Sequence, residues 1–195
     1  MDKLKRSLII SIRVCFIIFA ILFFAQILVD PNYNKWGGVL AGLGLPFLPP
    51  IVERCFKFKM PFRIQLLYYI FLFIALDMGI CMDLYKTVPY FDKIVHFGSG
   101  VLSTIVGYYA IVYFKATKTP IVFRTLVIVG ISTMIAVVWE FFEFGCDKFL
   151  GQHMQQLVSV GVDDTMYDLL AATLGSFLGA WMFTNPKLAK ELEKN

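Results

Sequence analysis

The stretch LIISIRVCFIIFAILFFAQILV, Leu8 to Val29, decides what kind of protein this is. It is an apolar run slightly longer than the ~20 residues an α-helix needs to cross a bilayer. A secretory leader would also follow a basic start such as MDKLKR, but this run is too long for one and no small-x-small cleavage pattern comes after it. We read it as a retained first transmembrane helix.

Working outward, the rest of the chain repeats that signature. Hydrophobic residues make up 58% of 195 positions and charged residues 16%, mean hydropathy is +0.72, and Phe occurs 20 times. The apolar residues come in blocks of crossing length and not in the narrow stripes of a water-soluble core. The blocks predict helices near 8–29, 37–52, 64–82, 94–114, 125–146 and 165–183. The expected fold is therefore an all-α polytopic membrane protein, a single integral membrane domain over 1–195 with six transmembrane helices in a lipid bilayer.

Basic residues set its orientation. Lys3, Lys5, Arg6, Arg54, Lys57, Lys59, Arg63, Lys115, Lys118, Arg124, Lys187, Lys190 and Lys194 flank alternate ends, whereas Lys35, Lys86, Lys93 and Lys148 fall at the others. The positive-inside rule places both N- and C-termini in the cytoplasm. The formal net charge of +4 is thus explained by topology, and nucleic acid is not implied as a partner. The second block, GGVLAGLGLPFLPPIV, is short and carries Pro46, Pro49 and Pro50, which remove intrahelical hydrogen bonds. A re-entrant hairpin there would set the basic N-terminus against the basic 53–63 loop, so a kinked crossing is expected.

The acids are one-sided too. Under this topology Asp30, Asp77, Asp83, Asp92, Glu140, Glu143, Asp147, Asp163, Asp164 and Asp168 lie at or near the outer face, and Asp2, Glu53, Glu191 and Glu193 at the cytoplasmic face. Positive-inside counts Lys and Arg, so this second asymmetry needs its own cause. Asp92 and His96 are i,i+4, Glu140 and Glu143 i,i+3, and Asp164 and Asp168 i,i+4, so each pair shares one helix face. Deeper along those faces lie Gly100, Ser103 and Gly107, then Ala136 and Thr133, then Ala171, Gly175 and Gly179. Small residues at such steps suit close helix packing in lipid. The charged faces are expected to point at one another, with Glu140 roughly 9 Å below the helix end. A charge at that depth needs partners.

Three segments carry a family resemblance: YFDKIVHFGSG, WEFFEF and DDTMYDLLAATLGS. In these the chain resembles the YjdF-type family of bacterial inner-membrane proteins and, more remotely, the VanZ-like family. The resemblance implies a multi-pass protein of the bacterial plasma membrane, with its polar positions at Asp92, His96, Glu140, Glu143, Asp164 and Asp168. It carries no established reaction, and the Glu-x-x-Glu here departs from the Glu-x-x-Gln of VanZ-like proteins.

Five carboxylates and one imidazole converging from three helices match, in ligand type, the metal sites built inside helix bundles. Such a set suits Mn, Mg, Fe or Zn. Asp77, Asp147 and Asp163 are candidate additional members. A divalent metal there would support hydrolysis of a lipid or envelope-precursor substrate at the outer surface. The alternatives are a proton- or cation-coupled transporter, in which the acids relay charge, and a non-catalytic envelope scaffold, in which His96 and Lys93 merely neutralise acids that clamp helix ends. No serine or cysteine nucleophile motif and no imidazole-rich zinc motif is present. Cys81 and Cys146 are read as small apolar fillers, with a disulfide as the alternative. His153 is read as a solvated loop histidine.

Overall fold

The computed structural model describes residues 3–30, 34–155 and 162–188, without the side chain of Cys81. The charged positions Asp2, Lys190, Glu191, Glu193 and Lys194 lie outside the described residues. Among the described residues the chain is helical throughout, with no strand: α1 Lys3–Val29, α2 Trp36–Gly44, a 3₁₀ turn Leu45–Phe47, α3 Leu48–Cys55, α4 Phe62–Leu72, a π-helical segment Phe73–Cys81, then α5 Leu84–Thr87, α6 Phe91–Tyr113, α7 Ile121–Leu150 and α8 Val162–Thr184. They combine into six helices long and apolar enough to cross a membrane, at Lys3–Val29, Trp36–Cys55, Phe62–Ile80, Phe91–Tyr113, Ile121–Leu150 and Val162–Thr184.

Local chemistry sets the breaks. Pro61 and Pro120 stand directly before α4 and α7, where a missing N–H costs no helical hydrogen bond. Gly151 ends α7 with φ +63°, the left-handed cap conformation glycine adopts without a Cβ penalty.

The second span is interrupted at its prolines by the 3₁₀ turn Leu45–Phe47, and the reason it survives in lipid is specific. Pro49 and Pro50 cannot donate to the carbonyls four residues back, which belong to Leu45 and Pro46. Two phenols from α4 replace those donors: Tyr68 Oη donates to Leu45 O at 2.7 Å and Tyr69 Oη to Pro46 O at 2.9 Å. No carbonyl freed by those prolines is left bare in a medium without water.

The molecule is apolar outside and small or polar within. Leu22, Phe141, Leu170 and Trp181 are exposed, whereas Thr104, Ser132, Asp168 and Ser176 are fully buried. That inversion of a soluble protein's pattern is what a bilayer selects. The tightest packing joins α6 to α8. A Cβ on Gly100 would collide with Ala172 O, and one on Gly175 with Phe97 O. Against α7, a Cβ on Gly107 would lie 2.7 Å from Ile128 Cα, and Ser132 Oγ donates to Gly100 O at 2.8 Å. The small-residue faces expected of α6 and α8 therefore do meet, with Ala172 in the place expected of Ala171.

On the other side, Ile9 and Phe16 of α1 pack with Tyr69, Leu72 and Leu76. Arg13, inside the first span and absent from the sidedness argument, donates from Nε to Tyr69 Oη at 2.6 Å. The chain between the first two spans is clasped to the end of α7: Gln152 Oε1 accepts from Gly37 N at 2.7 Å, its Nε2 donates to Asn34 O at 2.9 Å, and Asn34 Nδ2 donates to Gly151 O at 3.0 Å.

Candidate functional site

Asp92, Lys93 and His96 occupy the first turns of α6, which the chain enters through Tyr90 in the left-handed conformation. α7 contributes Glu140 and Glu143, and α8 contributes Asp164 and Asp168 in its first turns. Helical spacing puts each pair on one face, and the glycine crossing brings the faces together.

The imidazole of His96 stands at the centre. Its Nε2 lies 3.5 Å from Asp92 Oδ1 and 3.8 Å from Asp168 Oδ1, and its Nδ1 lies 3.9 Å from Glu140 Oε1. Donor atoms of Asp92, His96 and Asp168 lie within 4.8 Å of one another, and so do those of His96, Glu140 and Glu143. The two sides of the ring differ in charge balance. On the Nε2 side Lys93 Nζ lies 3.1 Å from Asp92 Oδ2, 2.6 Å from Asp164 Oδ1 and 2.7 Å from Asp168 Oδ1. On the Nδ1 side no Lys or Arg pairs with the glutamates among the described residues. Glu143 Oε1 accepts from Trp139 Nε1 at 2.7 Å. Glu140 is 3% exposed, and neither of its carboxylate oxygens has a hydrogen bond of good geometry. An acceptor buried like this is costly unless something fills its coordination.

A cavity of about 920 Å³ opens beside the cluster. Asp92, His96 and Glu143 form its polar wall, Tyr68, Phe71 and Leu72 its apolar wall, and Lys35, Asp83 and His153 stand among its polar lining. Such a mixture suits an amphiphile.

Of the three additional acids, none joins the cluster. Asp77 is buried against the α1–α4 side, because bonding to the fifth residue ahead in the π segment changes which positions share a face. Asp147 organises the turn after α7, accepting from Met154 N at 2.6 Å and Gln155 N at 3.0 Å. Asp163 is exposed. Cys146 is a buried free thiol, the Cys81 side chain that the pairing alternative needs lies outside the described residues, and His153 is exposed.

Sequence reasoning missed Trp139 and Tyr85. Trp139 was signalled by its i,i+4 spacing to Glu143, whereas nothing local marks Tyr85. Gly79 makes room for the Tyr85 ring, since a Cβ there would collide with it. Burial pushes the Tyr85 phenol up, and the carboxylates of Asp92, Glu143 and Asp168 push it further, so it stays a protonated hydroxyl beside the acids.

Fold and cluster together define a multi-pass helical membrane protein with a buried acid–imidazole centre at one end of its last three spans. The chain belongs to the family described as "Predicted membrane protein (DUF2238)", whose family profile matches residues 11–186. It is 28% identical over 131 residues, 67% of each chain, to an uncharacterized protein of Thermotoga maritima. No solved structure matches it.

Proposed function

We propose that this membrane protein holds a divalent cation at His96, Glu140 and Glu143 and acts there on a lipid or envelope-precursor substrate admitted through the neighbouring cavity. The observation that carries the reading is Glu140, a buried carboxylate that among the described residues has no cation beside it and no hydrogen bond of good geometry, only the Thr165 and Gln155 side chains standing near as weak donors; it shares with His96 and Glu143 a set of ligand atoms within 4.8 Å of one another. A cation held about 2.0–2.6 Å from each ligand needs such spacing. One nitrogen among oxygens suits Mn, Mg, Fe or Zn. When bound, the ion supplies Lewis-acid polarisation of an ester or phosphoryl oxygen.

The chain's own groups have separate tasks. Trp139 orients Glu143, Lys93 balances Asp92, Asp164 and Asp168, and Tyr85 offers a hydroxyl at the cavity. With the positive-inside orientation, the site faces outward from a bacterial plasma membrane, and the YjdF-type resemblance and single-domain organisation belong to the same proposal.

Elemental analysis of protein purified in nanodiscs and loaded with Mn²⁺ or Zn²⁺ tests it. About one ion per chain should survive gel filtration in wild type, be lost in Glu140→Gln with Glu143→Gln, and be weakened roughly 10- to 100-fold in Trp139→Phe, as for other groups that orient a ligand. Equal retention in wild type and the double variant would refute the site. A metal-loaded protein that moves protons or cations across vesicles, and leaves lipid intact, would favour the transporter reading; one that does neither would favour the scaffold.

A further inference from the structure

Arg13 brings a positive charge into the first span, and nothing in the acid–imidazole centre uses it. Of the five N–H donors of a guanidinium, only Nε–H has an acceptor among the described residues, Tyr69 Oη at 2.6 Å, and no carboxylate there pairs with it. Buried groups hold that Nε edge. Tyr69 is 2% exposed, its hydroxyl donates onward to Pro46 O at 2.9 Å, and its ring centroid lies 5.9 Å from Arg13 Cζ. The two Nη groups are the open end of the fork. Arg13 is half-buried, and Ile10 and Val14 beside it are 49% and 47% exposed, so it stands at the edge of the lipid-facing surface.

We infer that Arg13 anchors a binding site for the phosphate of an anionic phospholipid, taken from the leaflet that surrounds the start of α1. The site is independent of the metal proposal. Three observations fix the occupant. First, four N–H groups at a lipid boundary need acceptors from outside the chain, and a guanidinium fork matches a phosphate bidentately. Second, the depth fits. The 27 residues of α1 extend for about 40 Å, more than the ~30 Å hydrocarbon layer, and the apolar run begins at Leu8, so the Cα of Arg13 lies about 8 Å below that boundary. A helical side chain points back toward its own N-terminus, which carries the guanidinium up to the level where lipid phosphates begin. Third, more positive charge stands above it. Arg6 comes seven residues earlier, nearly two turns, so it shares the stripe of Arg13, and it is exposed. Lys5 Nζ lies 5.7 Å from the ring centroid of Phe62, at the head of the same α4 whose Tyr69 holds Arg13. A head group without an ammonium of its own suits that surplus.

Full-length protein, stripped of lipid in detergent and titrated with dioleoylphosphatidylglycerol, dioleoylphosphatidylcholine or dioleoylglycerol, tests this, with bound lipid counted by native mass spectrometry. Wild type should hold one phosphatidylglycerol at least about tenfold more tightly than dioleoylglycerol, which lacks the phosphate, the margin a charge-assisted hydrogen bond provides. Phosphatidylcholine, whose ammonium meets Lys5 and Arg6, should bind between the two. Arg13→Leu should remove the preference for phosphatidylglycerol, and Arg13→Lys, which keeps the charge and loses the fork, should weaken it part of the way. Equal affinity of wild type for phosphatidylglycerol and either other lipid would overturn the proposal. So would a preference that survives Arg13→Leu and disappears in Lys5→Gln with Arg6→Gln, since the attraction would then belong to the basic helix end alone. A dimer of lipid-stripped wild type that Arg13→Leu dissociates would give the guanidinium to a carboxylate of a second copy, which also overturns it. The wild-type lipid comparison and Arg13→Lys stand whether or not Arg13→Leu folds.

Discussion

Lys93 Nζ on α6 lies 2.7 Å from Asp168 Oδ1 on α8, and Asp168 is 1% exposed. This ion pair is the charge balance of the Nε2 side of the site, because the same ammonium also reaches Asp92 and Asp164. Lys93→Met keeps the length of the side chain and leaves three carboxylates facing one another without a cation. Removing one partner from such a buried set costs about 3 kcal/mol. Thermal unfolding in detergent should show this loss, and adding Asp168→Asn to Lys93→Met should recover part of it, a coupling expected of groups in direct contact. Strictly additive losses would show that the pair holds nothing together.

Glycines divide into two classes by what surrounds them. Gly100→Ala and Gly175→Ala would push a methyl into a backbone carbonyl across the α6–α8 crossing. Relief needs a shift of helix backbone, so a loss of about 1–3 kcal/mol is expected from overpacking. Gly130 and Gly145 on α7 have nothing within 4 Å of a new Cβ. There alanine should be neutral or stabilise by about 0.5–1 kcal/mol through helix propensity. Similar unfolding midpoints for all four variants would rule out the close crossing.

Asp83 supplies a pH test outside the membrane-spanning segments. A hydrogen bond from Lys35 holds its carboxyl below the usual carboxylate range, with Lys86 adding to the effect. A depressed folded pKa stabilises the fold above the unfolded value of about 3.9, and that contribution is lost as pH falls through the lower folded value. The gap in unfolding midpoint between wild type and Asp83→Asn should hold steady from about pH 8 to 5 and close below about pH 4. Because Asp83 is nearly half exposed, the gap should be small and should also shrink in 1 M salt. A gap that widened in acid would reverse the assigned sign.

The six spans were legible because crossing a bilayer demands long apolar runs, and length and composition record them directly. The meeting of α6, α7 and α8 was legible for a related reason, since small residues and acids recur there at helical steps. What the sequence concealed depends on neighbours distant along the chain. Asp77 was a candidate additional member of the cluster, contributed by a fourth helix, and in the π segment it lies instead on the α1 side. Tyr85 lines the cavity beside Asp92 and Glu143, in space that Gly79 leaves for its ring. The two phenols that complete the proline-broken second span sit in YYIF, an apparently ordinary lipid-facing run, and their partners are backbone carbonyls that carry no sequence mark.

The interlock of Gly100 with Ala172 and of Gly175 with Phe97 also works as a key that fixes the reading frame of two helices. One residue inserted between His96 and Phe97 would swing the ring about 100° around α6 while the crossing stayed in place. The imidazole would then leave both carboxylate groups at once. Conservative exchanges of the acids themselves would be gentler than that single-residue insertion, however inert the inserted residue.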